Sequence, residues 1–434
     1  MRDEWRFLIS TRSFYERNSK LGILNADRLL ILSGEVVEEP PDLFHSIDPV
    51  EITQILMRRA GPWSVIYHRP DLSRIFVGRD VFGRLSLVFA PVDNDVMISD
   101  VVRSIPLVQP ASWHEVPHAQ ISRSIFCTRQ KALKDFFERL LDAVRSMIPQ
   151  GVERLAVAFS GGVDSLLIAI ALHKVCQFNQ SIDLINVAFI RDSEESSLIN
   201  DRLRGITGMH HLRSRYCDRR WRLILVDVTK DELEANRSFI AKAAAPANSV
   251  LDESIACVLW FALRGTGKDF DSHENLKQYI RSDAHIYFVG SGADELFGGY
   301  ARHRKRFQCD GLDSLVEECE NELHRYGYRN GGRDARVAVM LMRKLRAPFL
   351  HDSFVAWANT LPMELKCDLT LPRGIGEKLI VRQVLAQLGA PHTAPKQAMQ
   401  FGSGFVKMQD DKTLKGSSLS RHLCHSQQIV RREC

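Results

Sequence analysis

Two glycine-rich stretches hold the residue types best suited to chemistry. The first is Ser160-Gly161-Gly162-Val163-Asp164-Ser165, which follows the apolar run 155–159 directly and opens a second apolar run. Two glycines let a backbone turn sharply and come close to an anion. The amide N–H groups and the start of the following helix then face that anion. Ser160 and Ser165 add hydroxyl donors. Asp164 repels bare phosphate, but it can hold Mg²⁺ between itself and phosphate oxygens. The plain alternative is a glycine turn with a capping serine; the strand–loop–helix context argues for the anion. No GxxxxGK[ST] pattern occurs, so this is not a Walker loop.

The second stretch is Gly290-Ser291-Gly292-Ala293-Asp294-Glu295, continuing Leu296-Phe297-Gly298-Gly299-Tyr300. It too follows an apolar run. Loops that bind ligands gather at the carboxyl ends of parallel strands, so the two stretches can share one ligand. Asp294 offers a second carboxylate for Mg²⁺. Glu295 is either a partner of the ligand or an acidic residue favoured at a helix start by the dipole.

The elements that must carry these loops are legible in outline. Apolar runs at 155–159, 184–190, 223–228 and 286–289 alternate with helical patterns, including 165–176 and 254–264, after an amphipathic helix at 131–147. Continuous apolar strands alternating with helices predict a parallel sheet covered on both faces. Before about residue 125, short runs at 29–32, 63–67, 75–77, 85–89 and 96–98 predict an antiparallel sheet, with a short helix at 51–60 and loop and strand at 106–117. Residues 311–388 read as mainly helical. The tail after residue 407 is polar and is expected to be disordered.

A chain of 434 residues suggests two or three domains. Its 58 basic and 53 acidic residues leave a net charge of +5, too weak an asymmetry to demand nucleic acid. The basic run Arg302, Arg304, Lys305 and Arg306 reads as a solvated helix face. Nine cysteines occur without a CxxC pair, which argues against a disulfide framework or structural zinc and for a reducing, cytoplasmic setting. The first ten residues lack an apolar signal segment, and no run approaches the length of a membrane span.

The first loop resembles the pyrophosphate-binding motif of N-type ATP pyrophosphatases. With the second loop, the chain resembles the synthetase domain of class II asparagine synthetases. The segments Val250-Leu251-Asp252-Glu253-Ser254-Ile255, Leu371-Pro372-Arg373-Gly374-Ile375-Gly376-Glu377-Lys378 and Lys396-Gln397-Ala398-Met399-Gln400-Phe401-Gly402-Ser403 are similar to the asparagine synthetase domain-containing proteins of animals. The resemblance implies an α/β, parallel-sheet ATP-pyrophosphatase domain (adenine nucleotide alpha hydrolase-like) at 126–408. It implies a partial, degenerate glutamine amidotransferase type 2-like domain at 1–125, and leaves 409–434 as the tail. It also implies a reaction: ATP adenylates the side chain of aspartate, pyrophosphate leaves, and ammonia converts β-aspartyl-AMP into asparagine and AMP. By that resemblance Ser160, Gly161, Gly162, Asp164 and Ser165 hold the pyrophosphate end of ATP. Val187 flanks the nucleotide, Gly290, Ser291 and Gly292 continue the site, and Asp164 and Asp294 hold Mg²⁺. Lys378 stabilises charge on the reacting phosphate, a task suited to a mobile cation. Arg382, one helical turn on, supports the phosphate or caps the helix, and Glu295 joins the catalytic set. Arg346 of Arg346-Ala347-Pro348-Phe349-Leu350 is expected to anchor structure. The expected partners are small molecules alone (ATP, aspartate or a related carboxylate, and ammonia), with an oligomer permitted.

Three departures qualify these expectations. The family's glutaminase nucleophile is a cysteine at position 2, whereas this chain has Arg2 and its first cysteine is Cys127. The amidotransferase-like match begins only near residue 50, in Gly61-Pro62-Trp63-Ser64 and the stretch 78–84, so the glutaminase half is expected to be lost or to precede this sequence. Ser291 stands where the family has a glutamate used in synthesis, and a hydroxyl cannot replace its charge or act as a base unaided. His351 stands where the family has aspartate. The leading expectation is ammonia-dependent amide synthesis; the alternatives are an ATP pyrophosphatase for another substrate and an ATP-binding scaffold.

Overall fold

The computed structural model describes residues 129–191, 196–271, 278–408, 417–420 and 422–423. Before residue 100 it describes the segments 7–10, 20–25, 28–34, 48, 51–52, 54–55, 63–69, 74–80, 88–92 and 95–99. The expected loop and strand at 106–117, the boundary near 125 and most of the tail lie outside the described residues.

Strands β2 (Lys20–Asn25), β3 (Arg28–Gly34), β4 (Trp63–Arg69) and β5 (Arg74–Arg79) form an antiparallel sheet in that order. Along β4, Trp63, Val65 and Tyr67 are buried, the period-two pattern that places alternate residues on one face. A second sheet joins β1 (Phe7–Ser10), β7 (Asp95–Ser99) and β6 (Val88–Val92). Here β6 and β7 are antiparallel as expected, but β1 runs parallel to β7.

The sheet that carries the glycine loops has seven strands. They are β8 (Arg154–Ala158), β9 (Ser181–Phe189), β10 (Trp221–Val228), β11 (Thr266–Asp269), β12 (Tyr279–Arg281), β13 (Ile286–Phe288) and β14 (Lys344–Arg346), in the order β12-β11-β10-β9-β8-β13-β14. The five from β10 to β14 in that spatial order are parallel, while β11 and β12 add an antiparallel edge. The four apolar runs read from sequence are β8, β9, β10 and β13. β11 escaped notice because Thr266-Gly267-Lys268-Asp269 has no apolar residue, and β14 because it is three residues long amid helices.

Alternation explains how the sheet is covered twice. On β8, Leu155 and Val157 pack on one face with the helices Arg129–Ser146, Val163–Val175 and Leu379–Gln387. Ala156 faces the other side, with the helices Lys230–Ala244, Val250–Arg264 and Gly332–Met340. Truncating a fully buried leucine such as Leu167 to alanine in such a core costs about 2–5 kcal/mol. The helix Val250–Arg264 is defined locally: Ser249 accepts the Asp252 N–H at 3.1 Å, and Gly265 ends it in the left-handed region.

Part of the tail is docked, contrary to the expectation of disorder. Ser249 pairs with Leu419, Ser420 Oγ donates to Glu253 Oε2 at 2.5 Å, and Leu423 is buried in the core beneath the sheet. One apolar side chain and one well-placed hydroxyl hold what composition alone reads as solvated. Among the described residues no helix is long and apolar enough to cross a membrane.

Candidate functional site

Both glycine loops leave the carboxyl ends of adjacent parallel strands, β8 and β13, and they touch. A Cβ built on Gly290 would stand 2.8 Å from Asp164 Cβ, so the second loop can approach the first only as glycine. Gly161 has φ +70°, and a side chain there would overlap the backbone of Arg204. The first loop supports itself: Ser160 Oγ accepts the Gly162 N–H at 3.2 Å, and Ser165 Oγ donates to the Gly162 carbonyl at 3.2 Å. Gly162 caps the helix Val163–Val175 without a side-chain bond, so no side chain competes with an anion for its first amides.

Lys378 reaches this junction from the other end of the sequence. Its ammonium is 2.6 Å from Asp164 Oδ2 and 2.9 Å from Asp294 Oδ1, and the residue is 1% exposed. The backbone at Lys378 is left-handed, with φ +53°, an unfavourable state for a non-glycine residue, and its N–H donates to the Phe297 carbonyl at 3.0 Å. That posture turns the side chain into the site instead of along the helix Leu379–Gln387.

A second lysine, not singled out from sequence, completes the cluster. Lys396 Nζ bonds Asp294 Oδ2. Burial alone disfavours the charged form of each group, but the pairing outweighs it. Lys396 is held above the ordinary lysine value by Asp294 and Asp164, and Asp294 below the carboxylate range by Lys378 and Lys396. Two acids and two amines thus meet where an anion and a cation could be exchanged for them.

Glu295 lies behind Asp294, 2% exposed. Tyr300 donates to its Oε1 at 2.6 Å and Asn330 at 3.4 Å. Burial and the neighbouring Asp294 push its carboxyl up to about 7 against the Tyr300 bond. Ser291 lies beside the buried phenol of Tyr326. Asp201, also buried, is pushed up to about 6, with Arg204 and Lys396 opposing the shift.

Two expected residues have other roles in the geometry. Arg382 is a brace: it donates to the carbonyls of Glu377 (2.8 Å), His392 (2.6 Å) and Ala394 (2.9 Å) and to Glu377 Oε1 (3.1 Å). Its guanidinium holds the segment that delivers Lys396. Val187 is 6% exposed within the core of β9. Arg346 anchors as expected, its Nε donating to the Met147 carbonyl at 3.3 Å. His351 bonds Ser146 and Ser353.

Mg²⁺ suits the donor set. Asp164 Oδ1 is buried with no hydrogen-bond partner, and Asp294 Oδ1 has the Lys378 contact but no aligned hydrogen bond. Two carboxylates with spare lone pairs match the way Mg²⁺ is shared between protein and phosphates. No cluster of three or more acidic, histidine or cysteine ligands occurs among the described residues.

The glycine loops on a mostly parallel α/β sheet agree with what comparison with known proteins finds: the chain is similar to asparagine synthetase-like proteins. More narrowly, it is homologous to the asparagine synthetase domain-containing proteins. It is 39% identical to asparagine synthetase domain-containing protein 1 of Mus musculus over 291 residues, covering 59% of this chain and 46% of that protein. The Homo sapiens protein of the same name is 38% identical over 295 residues, covering 59% and 46%. The Drosophila melanogaster asparagine synthetase domain-containing protein CG17486 is 31% identical over 316 residues, covering 70% and 53%. The chain spans about half the length of these curated relatives. No family model matches it.

Proposed function

We propose that the chain binds Mg·ATP between its two glycine loops and transfers AMP to a carboxylate, releasing pyrophosphate. The acyl adenylate is then converted by ammonia into an amide and AMP; with aspartate the intermediate is β-aspartyl-AMP and the product asparagine. The observation that carries this reading is the cluster of Asp164, Asp294, Lys378 and Lys396 at an uncapped helix start. Asp164 and Asp294 would hold Mg²⁺, which would supply neutralisation of phosphate charge. The uncapped amides of the first loop bind the pyrophosphate end, and Ser160 and Ser165 add donors to it. Lys378 leaves the carboxylates for the phosphate whose charge grows in the transition state, which raises turnover more than ground-state binding. Arg382 and Glu377 keep the Lys396 segment in place. The strands before residue 100 are read as part of an amidotransferase-like domain, and the setting as cytoplasmic.

A second reading rests on Ser291, which lies beside Tyr326 where the resembled family has a glutamate. It keeps ATP binding but assigns a different carboxylate, or none. The deciding experiment adds ATP, Mg²⁺, aspartate and ammonia to purified protein. Aspartate-dependent release of pyrophosphate together with asparagine supports the first reading. ATP binding without either product, restored to turnover by Ser291→Glu, supports the second. Failure to bind Mg·ATP at all overturns both.

A further inference from the structure

A separate cavity of about 340 Å³ lies away from the glycine loops. It is lined by Asn236, Trp260, Leu263, Arg264, Thr266, Arg281, Leu341 and Arg343, and no acidic residue lines it. Arg343 immediately precedes β14, whose amino end is in register with the amino ends of β13 and β8. None of its lining residues belongs to either glycine loop.

Its charge is unbalanced. Arg264 pairs with Glu232 at 3.1 Å. Arg343 is 9% exposed, yet it has no carboxylate partner among the described residues. Its Nε donates to the Leu263 carbonyl at 3.3 Å, Nη1 stands 3.4 Å from His285 Nδ1, and the guanidinium lies over the Tyr287 ring at 5.7 Å. Arg281, at the rim, has no ion-pair partner among the described residues either. Asp183, on the same side of the sheet, is taken by Arg222 at 2.6 Å and by Ser282. Three guanidinium groups against Glu232 leave two positive charges. A buried guanidinium without a counter-charge is unfavourable, and an entering anion relieves it. Beside the arginines, Trp260, Leu263 and Leu341 give the cavity an apolar wall, and Asn236 is oriented by accepting the Trp260 indole N–H at 3.2 Å.

We propose that this cavity is a binding site for a small phosphorylated molecule with an apolar body. The phosphate dianion would match the two uncompensated charges through the planar donor forks of Arg281 and Arg343. The apolar body would lie along Trp260 and Leu341. The size fits: small-molecule sites run from about 300 to 1,000 Å³, so this one takes a metabolite of modest size.

The test uses the full chain and phenyl phosphate as probe, with benzoate and inorganic phosphate as comparisons. Calorimetry should show saturable binding of phenyl phosphate, tighter than either comparison. Arg281→Ala removes an exposed side chain whose loss does not threaten the fold, and it should weaken phenyl phosphate about tenfold. Arg343→Gln should do the same or more. Hydrogen exchange should slow in 258–266 and 279–285 when the probe is bound. Three results would overturn the proposal: no saturable binding at about 10 mM phenyl phosphate, unchanged affinity in Arg281→Ala, or protection confined to 158–166 and 290–296. The last would assign the phosphate to the glycine loops and leave the proposed nucleotide site standing. Benzoate binding as tightly as phenyl phosphate would refute the phosphate assignment.

Discussion

Replacing Glu295 with glutamine isolates the electrostatics of the site at one buried carboxyl. The group is 2% exposed, stands beside Asp294, and accepts hydrogen bonds from Tyr300 and Asn330. Burial first, and Asp294 second, move it from 4.5 to about 7. At about 1.4 kcal/mol per pH unit, that displacement corresponds to roughly 3 kcal/mol. The folded protein keeps this proton up to about pH 7, whereas the unfolded chain releases it near 4.5. Below that lower value both states hold the proton and nothing is lost. Between the two values the folded state holds one proton more, so stability falls as pH rises, and the loss is complete above the folded value. Glutamine keeps an oxygen to accept the Tyr300 bond and cannot ionise. Glu295→Gln should therefore match the wild type near pH 4.5 and exceed its stability by about 2–3 kcal/mol at pH 8. Urea unfolding followed by tryptophan fluorescence, in half-unit steps across this range, measures the difference. A gap between the two proteins that stays constant with pH, or a variant less stable at pH 8, would refute the reasoning.

Lys378→Met removes the ammonium between two partly buried carboxylates, of which only Asp294 keeps Lys396. It should cost about 3 kcal/mol of stability in the absence of Mg²⁺, with part of the loss restored by the metal, as read from thermal unfolding with and without MgCl₂. Asp164→Asn keeps the side-chain volume, and its expected effect is about a tenfold weaker affinity for Mg·ATP but not for metal-free ATP; equal effects on both, measured by calorimetry, would remove Asp164 from metal binding. Gly161→Ala forces a methyl against the Arg204 backbone at a positive φ, so ATP binding should be lost and stability lowered by about 1–3 kcal/mol. Arg382→Ala should lower ATP turnover only through the displaced 390–396 segment, and raised protease cleavage there would report the displacement.

How much of this could be read without coordinates follows from the range of each interaction. The two glycine loops were legible because strand, turn and helix start are contiguous: the apolar run, the glycines and the acidic residue lie within a dozen positions. The parallel sheet was legible because β9 and its neighbours are buried on both faces and so are mostly apolar, with Asp183 and Asn186 the exceptions inside β9. Strands β11 and β14 were not, since a short or polar strand is defined by its partner and not by its own residues. Lys378 was singled out through the resemblance, and Arg382 by counting one helical turn from it. Lys378 is left-handed and precedes the helix, so helical spacing does not relate the two side chains, and Arg382 turns to the carbonyls of 392 and 394. Lys396 carries no local signal for its role, because the bond to Asp294 joins residues far apart in the chain. The docked tail was invisible for the same reason, its polar composition outweighing the single Leu423 that the core receives. Sequence by itself determined the loops and the strands that present them, because both depend on near neighbours and on burial. Only the tertiary structure decided which charges meet, because the pairing of Asp164, Asp294, Lys378 and Lys396 depends on how distant segments pack.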